Sequence, residues 1–394
     1  MRDAPAQDWN SFRSRFPIFE HSTYLNTCSL GALSRRSREA VDRFLDLWQA
    51  RGASAWYQTW LGEVAALRSG FETLVGAPPG SCTIQHSVSS ALSVIASAYS
   101  YAQRKRVITT ALDFPTIPYQ WLVKPQVEVV ILPSDDGIGV PLERYEDAID
   151  ERTALVATSH VFFTSGYIQP IAEIGRLAHA AGAHLLVDGY QAAGQVPVDV
   201  AALDVDWYIT GGLKWLLGGP GIVELYARPE LATTLLPTTT GWFAHERQFA
   251  FDPERWAYHN DARRFEFGTP SVAVAAVYAA RAGIDQILEL GADAIRARES
   301  ELTADLVARA RDAGLELKVP ANHDQHAGIV MFKAADPPAV VRSLAEQHII
   351  VDHRPGYVRV SPFVYNTCEE NQSVVEALKA LIQGPGWPMM NDER

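Results

Sequence analysis

Two polar residues each sit at the edge of an apolar run. HLLVD (184–188) ends in Asp188, and DWYIT (206–210) leads into the turn GGLKWLLGGPG, which carries Lys214. Short apolar runs of this kind read as buried strands, and residues at their carboxyl ends face the crevice where open α/β sheets bind ligands. An acid there can keep a pyridine nitrogen protonated, so that the ring becomes an electron sink for a carbanion. A lysine among apolar neighbours such as Trp215 and Leu216 loses hydration, which lowers its pKa toward that of a nucleophile able to form an imine. Together Asp188 and Lys214 have the types and placement for pyridoxal-phosphate chemistry. Singly, each also suits a plainer role, a helix cap for Asp188 and a loop lysine for Lys214.

Such a pair needs a scaffold, and the flanking sequence supplies one. Apolar runs recur at RVITT (106–110), VEVVIL (127–132), TALVATS (153–159) and GIVELYA (221–227). Helical patterns separate several of them, notably Ser87 to Ala102 and Pro170 to Ala181. This alternation predicts an α/β domain built on a mostly parallel, helix-covered sheet. After Pro270 the pattern changes to long helices, Ser271 to Leu290 and Ala292 to Ala313, and then to shorter strands near Ala327 to Phe332 and Tyr357 to Ser361. The change marks a second, smaller α+β domain with its boundary near residue 285. The expected division is an N-terminal arm over 1–20 packed on the small domain, a large domain over 21–284 and a small domain over 285–394.

Composition narrows the partners. The chain has 394 residues, 47% hydrophobic and 20% charged, the balance of a globular protein with a sizeable core. A net charge of −12 argues against nucleic acid, whose phosphates demand a basic face. Apolar stretches such as Ile171 to Val187 are broken by Glu173, Arg176 and His184, short of the ~20 residues a membrane span needs. The opening MRDAPAQDWNSF lacks an apolar signal region, so a cytoplasmic enzyme with a small-molecule substrate is the expectation. Three widely spaced cysteines, Cys28, Cys82 and Cys368, suggest neither a disulfide framework nor a zinc site.

The stretch LLVDGYQAAGQVPVDVAALDVDWYITGGLKWLLGGPG resembles the cofactor-lysine region of class V aminotransferase-fold enzymes, which include cysteine desulfurases, epimerases and kynureninases. The likeness to kynureninase is the nearest and spans nearly the whole chain. It runs through NTCSLGAL, LDFPTIPY, GWFAHERQFAFDP, RRFEFGTPSV and DHRPGYVRVSPFVYNT in that order. The resemblance implies the fold type I architecture of pyridoxal-phosphate transferases, with a seven-stranded large-domain sheet. It implies Lys214 as the Schiff-base lysine, Asp188 at the pyridine nitrogen and Phe114 stacked on the ring. Gln191, in the class-wide DGxQ pattern, would donate to the phenolic oxygen, where kynureninases usually carry histidine. Ser87, Val88 and Ser89, opening a helix, would offer N–H groups and hydroxyls to the phosphate; a plain helix cap needs only one of those serines.

Thr269 and Trp242 correspond to positions that in the family reach the phosphate of a neighbouring subunit, which implies a homodimer with shared active sites. Arg359 matches the arginine that clamps the substrate carboxylate, since its planar fork pairs bidentately with that group. Arg354 is a second candidate, and Ser29 a further substrate contact. Leu213 departs from the family, because kynureninases place a phosphate-binding tyrosine there. Thr269 departs too, standing where eukaryotic relatives carry asparagine.

The reaction expected is kynureninase-like cleavage of an L-amino acid side chain at Cβ–Cγ or Cβ–X. Desulfurases carry a nucleophilic cysteine on the loop before the arginine strand, whereas here HRPGYV has none. A cysteine-independent C–S lyase stays open, as do an aminotransferase or epimerase on the same scaffold and a regulator that binds the cofactor without turnover. Retention of Lys214, Asp188, Gln191 and Arg359 together weighs against the regulator, because a binding module needs no carboxylate clamp.

Overall fold

The computed structural model describes residues 7–268 and 273–384. Its thirteen strands form three sheets. Strand β1 (Thr23–Tyr24) lies near the N-terminus. The large sheet follows, with β2 (Cys82–Gln85), β3 (Arg106–Thr110), β4 (Glu128–Leu132), β5 (Thr153–Ser159), β6 (His184–Asp188), β7 (Trp207–Gly211) and β8 (Val223–Ala227). The C-terminal part supplies β9 (Leu317–Lys318), β10 (Val330–Lys333), β11 (Ile349–Ile350), β12 (Asp352–Arg354) and β13 (Tyr357–Val360).

The large sheet runs in the order β2-β8-β7-β6-β5-β3-β4. Only β8 is antiparallel to its neighbours; β3, β4, β5, β6 and β7 pair in parallel. Every residue of β5, β7 and β8 is buried, as expected for strands covered on both faces. Alternation assigns the side chains to two separate cores. Leu185, Val187 and Tyr208 pack on one face, while Leu186, Trp207 and Ile209 pack on the other. The sequence runs anticipate these strands closely but miss β2, whose CTIQ mixes polar and apolar residues without a clear period.

The helix predicted over Ser87 to Ala102 runs only from Val88 to Ser97. The chain turns away because Tyr101 takes a left-handed φ of 55° and its hydroxyl accepts the Trp121 indole N–H. The start expected at Ser271 lies outside the described residues, and the helix there spans Val274–Leu290. Position 285 falls inside this helix, whose Val277, Ala280, Ile284 and Ile287 belong to the large-sheet core. The packing therefore favours a division at Gly291, which caps this helix and begins the next, Ala292–Asp312.

The C-terminal part carries a four-stranded antiparallel sheet, β12-β13-β10-β9. It shares an apolar cluster with helices Ala292–Asp312, Pro337–Glu346 and Cys368–Gln383. The N-terminal segment leans on this part. Arg13 pairs with Glu370 at 2.9 Å, Phe16 packs on Tyr365, and β1 pairs with β11. No helix of the described residues is long and apolar enough to cross a membrane.

Candidate active site

The chain reverses its direction of travel across the large sheet between β3 and β5, the switch point at which such sheets open a crevice. A cavity of about 410 Å³ lies there. Its walls include His86 and Ser87 after β2, Phe114 after β3, Ser159 at the end of β5, Asp188 at the end of β6 and Lys214 after β7.

Tight packing fixes the lysine turn. A Cβ on Gly283, in helix Val274–Leu290, would overlap the Leu216 carbonyl, and one on Gly31 would overlap that of Lys214. Trp215, Leu216 and Leu217 are buried beneath the turn. Lys214 Nζ sits 4.8 Å from the centroid of the Tyr190 ring. Burial drives the Lys214 pKa down, and the positive charges of Arg359 and Arg354 add to the effect, while Cys28 and Asp188 oppose it. For Asp188, burial pushes the carboxyl up against the opposing influence of the Tyr190 N–H and of Lys214. That N–H donates to Asp188 Oδ1 at 2.9 Å.

Gln191 is pinned at both ends of its amide. Its oxygen accepts from the Trp215 indole at 2.8 Å, and its nitrogen donates to the Cys28 carbonyl at 3.0 Å. The second amide proton remains available toward the cavity it lines. Phe114 is half-exposed at the cavity wall and meets Phe163 edge-on at 5.3 Å. Asp113 holds its loop. The buried carboxylate accepts from Thr110 N and Thr109 Oγ1 at the end of β3 and from Ser159 N and Thr158 Oγ1 at the end of β5. At the helix Val88–Ser97, Ser87 is the N-cap and its hydroxyl is used in a capping box with Ser90. Ser87 and Val88 border the cavity, whereas Ser89 is not part of its wall.

The expected substrate residues are arranged differently from expectation. Arg359 is fully buried and is not in the cavity wall, while Arg354 and Ser29 are. Arg359 Nε and Nη2 grip Asp352 bidentately at 3.1 and 2.8 Å, because β12 and β13 place the two residues directly opposite each other. Trp242 also stands apart from the cavity of its own chain. It borders a second cleft with His245, Phe251 and Trp256, and its indole N–H donates to Gln248 O. Thr269 lies outside the described residues.

Sequence reasoning does not single out Asp113, Tyr190 or Asp352. Each is adjacent to a residue it did find, in LDF, DGYQ and DHR, but their roles depend on contacts between distant strands. No group of three or more His, Cys, Asp or Glu side chains able to hold a metal occurs among the described residues.

A buried lysine of depressed pKa facing a buried carboxyl, beside a ring-sized aromatic wall and a helix N-terminus, is a donor set that fits pyridoxal phosphate. The pattern of the family Aminotransferase class-V matches residues 39–373, and the chain belongs to that family. It is a pyridoxal-phosphate-dependent enzyme of that class. An uncharacterized aminotransferase of Bacillus subtilis, YcbU, is 34% identical over 369 residues, covering 94% of this chain and 97% of that protein. A kynureninase of Bacillus anthracis is 27% identical over 409 residues, covering 97% and 94%. The apo cysteine desulfurase of Thermococcus onnurineus superposes with a TM-score of 0.85 at 24% identity, covering 95% of this chain and 98% of its own. The cystine C-S lyase C-DES, bound to cysteine persulfide, gives 0.85 at 23%, covering 92% and 99%. These structures share the fold type I architecture.

Proposed function

We propose that this enzyme cleaves the side chain of an L-amino acid in the manner of a kynureninase, with Lys214 as the covalent anchor of the cofactor. The observation that carries this reading is the hairpin before Arg359. Arg354 and Tyr357 pair directly across β12 and β13, so only Pro355 and Gly356 join the strands. A link of two residues without a thiol has no place for the loop cysteine of a desulfurase. The kynureninase relatives, which span nearly the whole chain, support the same choice.

Bound in the cavity, pyridoxal phosphate supplies an electron sink for the electrons left at the substrate Cα. The residues around it do the rest. Asp188, whose burial favours its protonated form, holds the proton at the ring nitrogen. Gln191, fixed by Trp215 and Cys28, donates to the phenolic oxygen. Phe114 covers the ring and excludes water, and the N–H groups at Ser87 and Val88 receive the phosphate. Lys214, less basic than an exposed lysine, takes and returns the proton at Cα. Arg354 and Arg359 give the far end a cationic character suited to a carboxylate. Trp242, with Thr269, would complete the site of a second copy in a homodimer.

The second reading is an aminotransferase, favoured by the 34% identity to YcbU. The two separate on products. Incubation with L-kynurenine, 3-hydroxykynurenine and cystine, with and without 2-oxoglutarate, is read by mass spectrometry. Cleavage releases alanine or another side-chain fragment without the oxo acid. Turnover only in its presence, with glutamate formed, selects the aminotransferase.

A further inference from the structure

Two arginines approach the same end of the cavity, and the hydrogen bonds distinguish them. Arg359 has five N–H donors, and four bonds leave from them. Nε and Nη2 hold Asp352, the other Nη2 proton goes to Ser29 Oγ at 2.7 Å, and Nη1 donates to the Phe163 carbonyl at 3.0 Å. A carboxylate is clasped bidentately through two parallel N–H groups on one edge of the guanidinium. Neither such edge of Arg359 is open. Admitting a substrate carboxylate would require Asp352 or Ser29 to leave, and Asp352 would then lose its principal partner at a site where charge is poorly solvated.

Arg354 is built the opposite way. Its two hydrogen bonds, to Asp352 Oδ2 at 3.1 Å and to the His353 carbonyl at 2.6 Å, both leave from Nη1. The Nε and Nη2 edge, a complete fork, has no partner among the described residues. The side chain is 29% exposed, against 1% for Arg359, and it borders the cavity. Its guanidinium lies 5.8 Å from the centroid of Phe163, whose ring meets Phe114. Charge points the same way. Burial resists ionisation of Asp352, yet the hydrogen bonds and charge of Arg359, with help from Ser29 and Arg354, keep its carboxyl below the ordinary range. The single negative charge of Asp352 is matched by Arg359, which leaves the charge of Arg354 to be matched from the cavity.

We propose that Arg354 receives the carboxylate of the amino-acid substrate, and that Asp352 is the positioning residue that occupies Arg359 and steers the open edge of Arg354 inward. This rests on the reading of the cavity as an amino-acid site. The substrate carboxylate then lies beyond Phe114, on the side of the aromatic pair Phe114 and Phe163, and its recognition is set by the hairpin β12–β13.

The test titrates the cofactor-loaded protein with L-alanine, L-kynurenine and ethylamine, a carboxyl-free analogue of alanine, and follows the visible absorbance of the bound cofactor. Arg354→Ala should raise the half-saturating concentration of both amino acids by about tenfold or more. The response to ethylamine and the cofactor content should not change. Arg354→Lys, which keeps the charge but not the fork, should fall between. Adding Asp352→Asn to Arg354→Ala frees an edge of Arg359 and should recover part of the loss. An Arg354→Ala protein that matches wild type toward both amino acids overturns the assignment while leaving the amino-acid reading intact. Equal weakening toward amino acids and ethylamine makes Arg354 structural and overturns it as well. A wild-type protein that responds to neither amino acid removes both the assignment and the reading beneath it.

Discussion

At the level of single residues, the site separates two ionisable groups by burying both, and burial moves them toward each other. Asp188 is pushed up and Lys214 is pushed down, so each is drawn toward its neutral form and both can exchange protons near neutral pH. Asp188→Asn tests this arrangement without altering volume. It should lower turnover by about 100-fold, roughly 2.7 kcal/mol of barrier, while visible absorbance from cofactor held by Lys214 persists. Near-wild-type turnover would remove Asp188 from the ring nitrogen. Lys214, Asp188, Phe114 and Gln191 were legible in the sequence because each closes or follows a strand run. Arg359 was read as a free clamp. Its partner Asp352 lies seven positions away in sequence, and only the antiparallel register of β12 and β13 reveals that the fork is taken.

At the level of elements, the antiparallel strand β8 carries a charge-bearing residue into the core. Glu224 is fully buried between Ile84 of β2 and Thr210 of β7, and neither carboxyl oxygen has a hydrogen-bond partner among the described residues. Burial raises its pKa to about 8. An unfolded glutamate titrates near about 4.3, so between those values the folded chain holds a proton that the unfolded chain has released. Stability from this group is complete below the lower value and is lost as pH rises through the upper one. Glu224→Gln removes the titration. Its unfolding temperature should exceed that of wild type at about pH 8 and approach it at about pH 5, as measured by calorimetry. An equal offset at both pH values would mean that Glu224 is ionised in the fold. The parallel strands were legible because continuous apolar runs have one reading in an α/β alternation. Strand β2 and the early end of helix Val88–Ser97 were not, since pairing with β8 and the left-handed Tyr101 decide them.

At the level of the whole molecule, the cavity is assembled from segments far apart in the chain. Ser29 comes from the N-terminal region, Phe114, Asp188 and Lys214 from the large sheet, and Arg354 from the C-terminal hairpin. Trp242 and Phe251 are exposed on a face apart from this cavity, as a contribution to a second copy requires. Sedimentation should give twice the 43.3 kDa chain mass. Mixing inactive Lys214→Ala protein with Trp242→Ala protein should restore part of the activity, since mixed dimers regain one intact site. A monomer, or no recovery despite subunit exchange, would contradict shared sites. The most direct test of the chemistry asks which lysine carries the cofactor. The holoenzyme is reduced with borohydride, digested and mapped by mass spectrometry. The pyridoxyl mass should fall on the peptide containing Lys214 and be absent from Lys214→Ala protein. The label on any other lysine, or its persistence in that variant, would contradict the assignment.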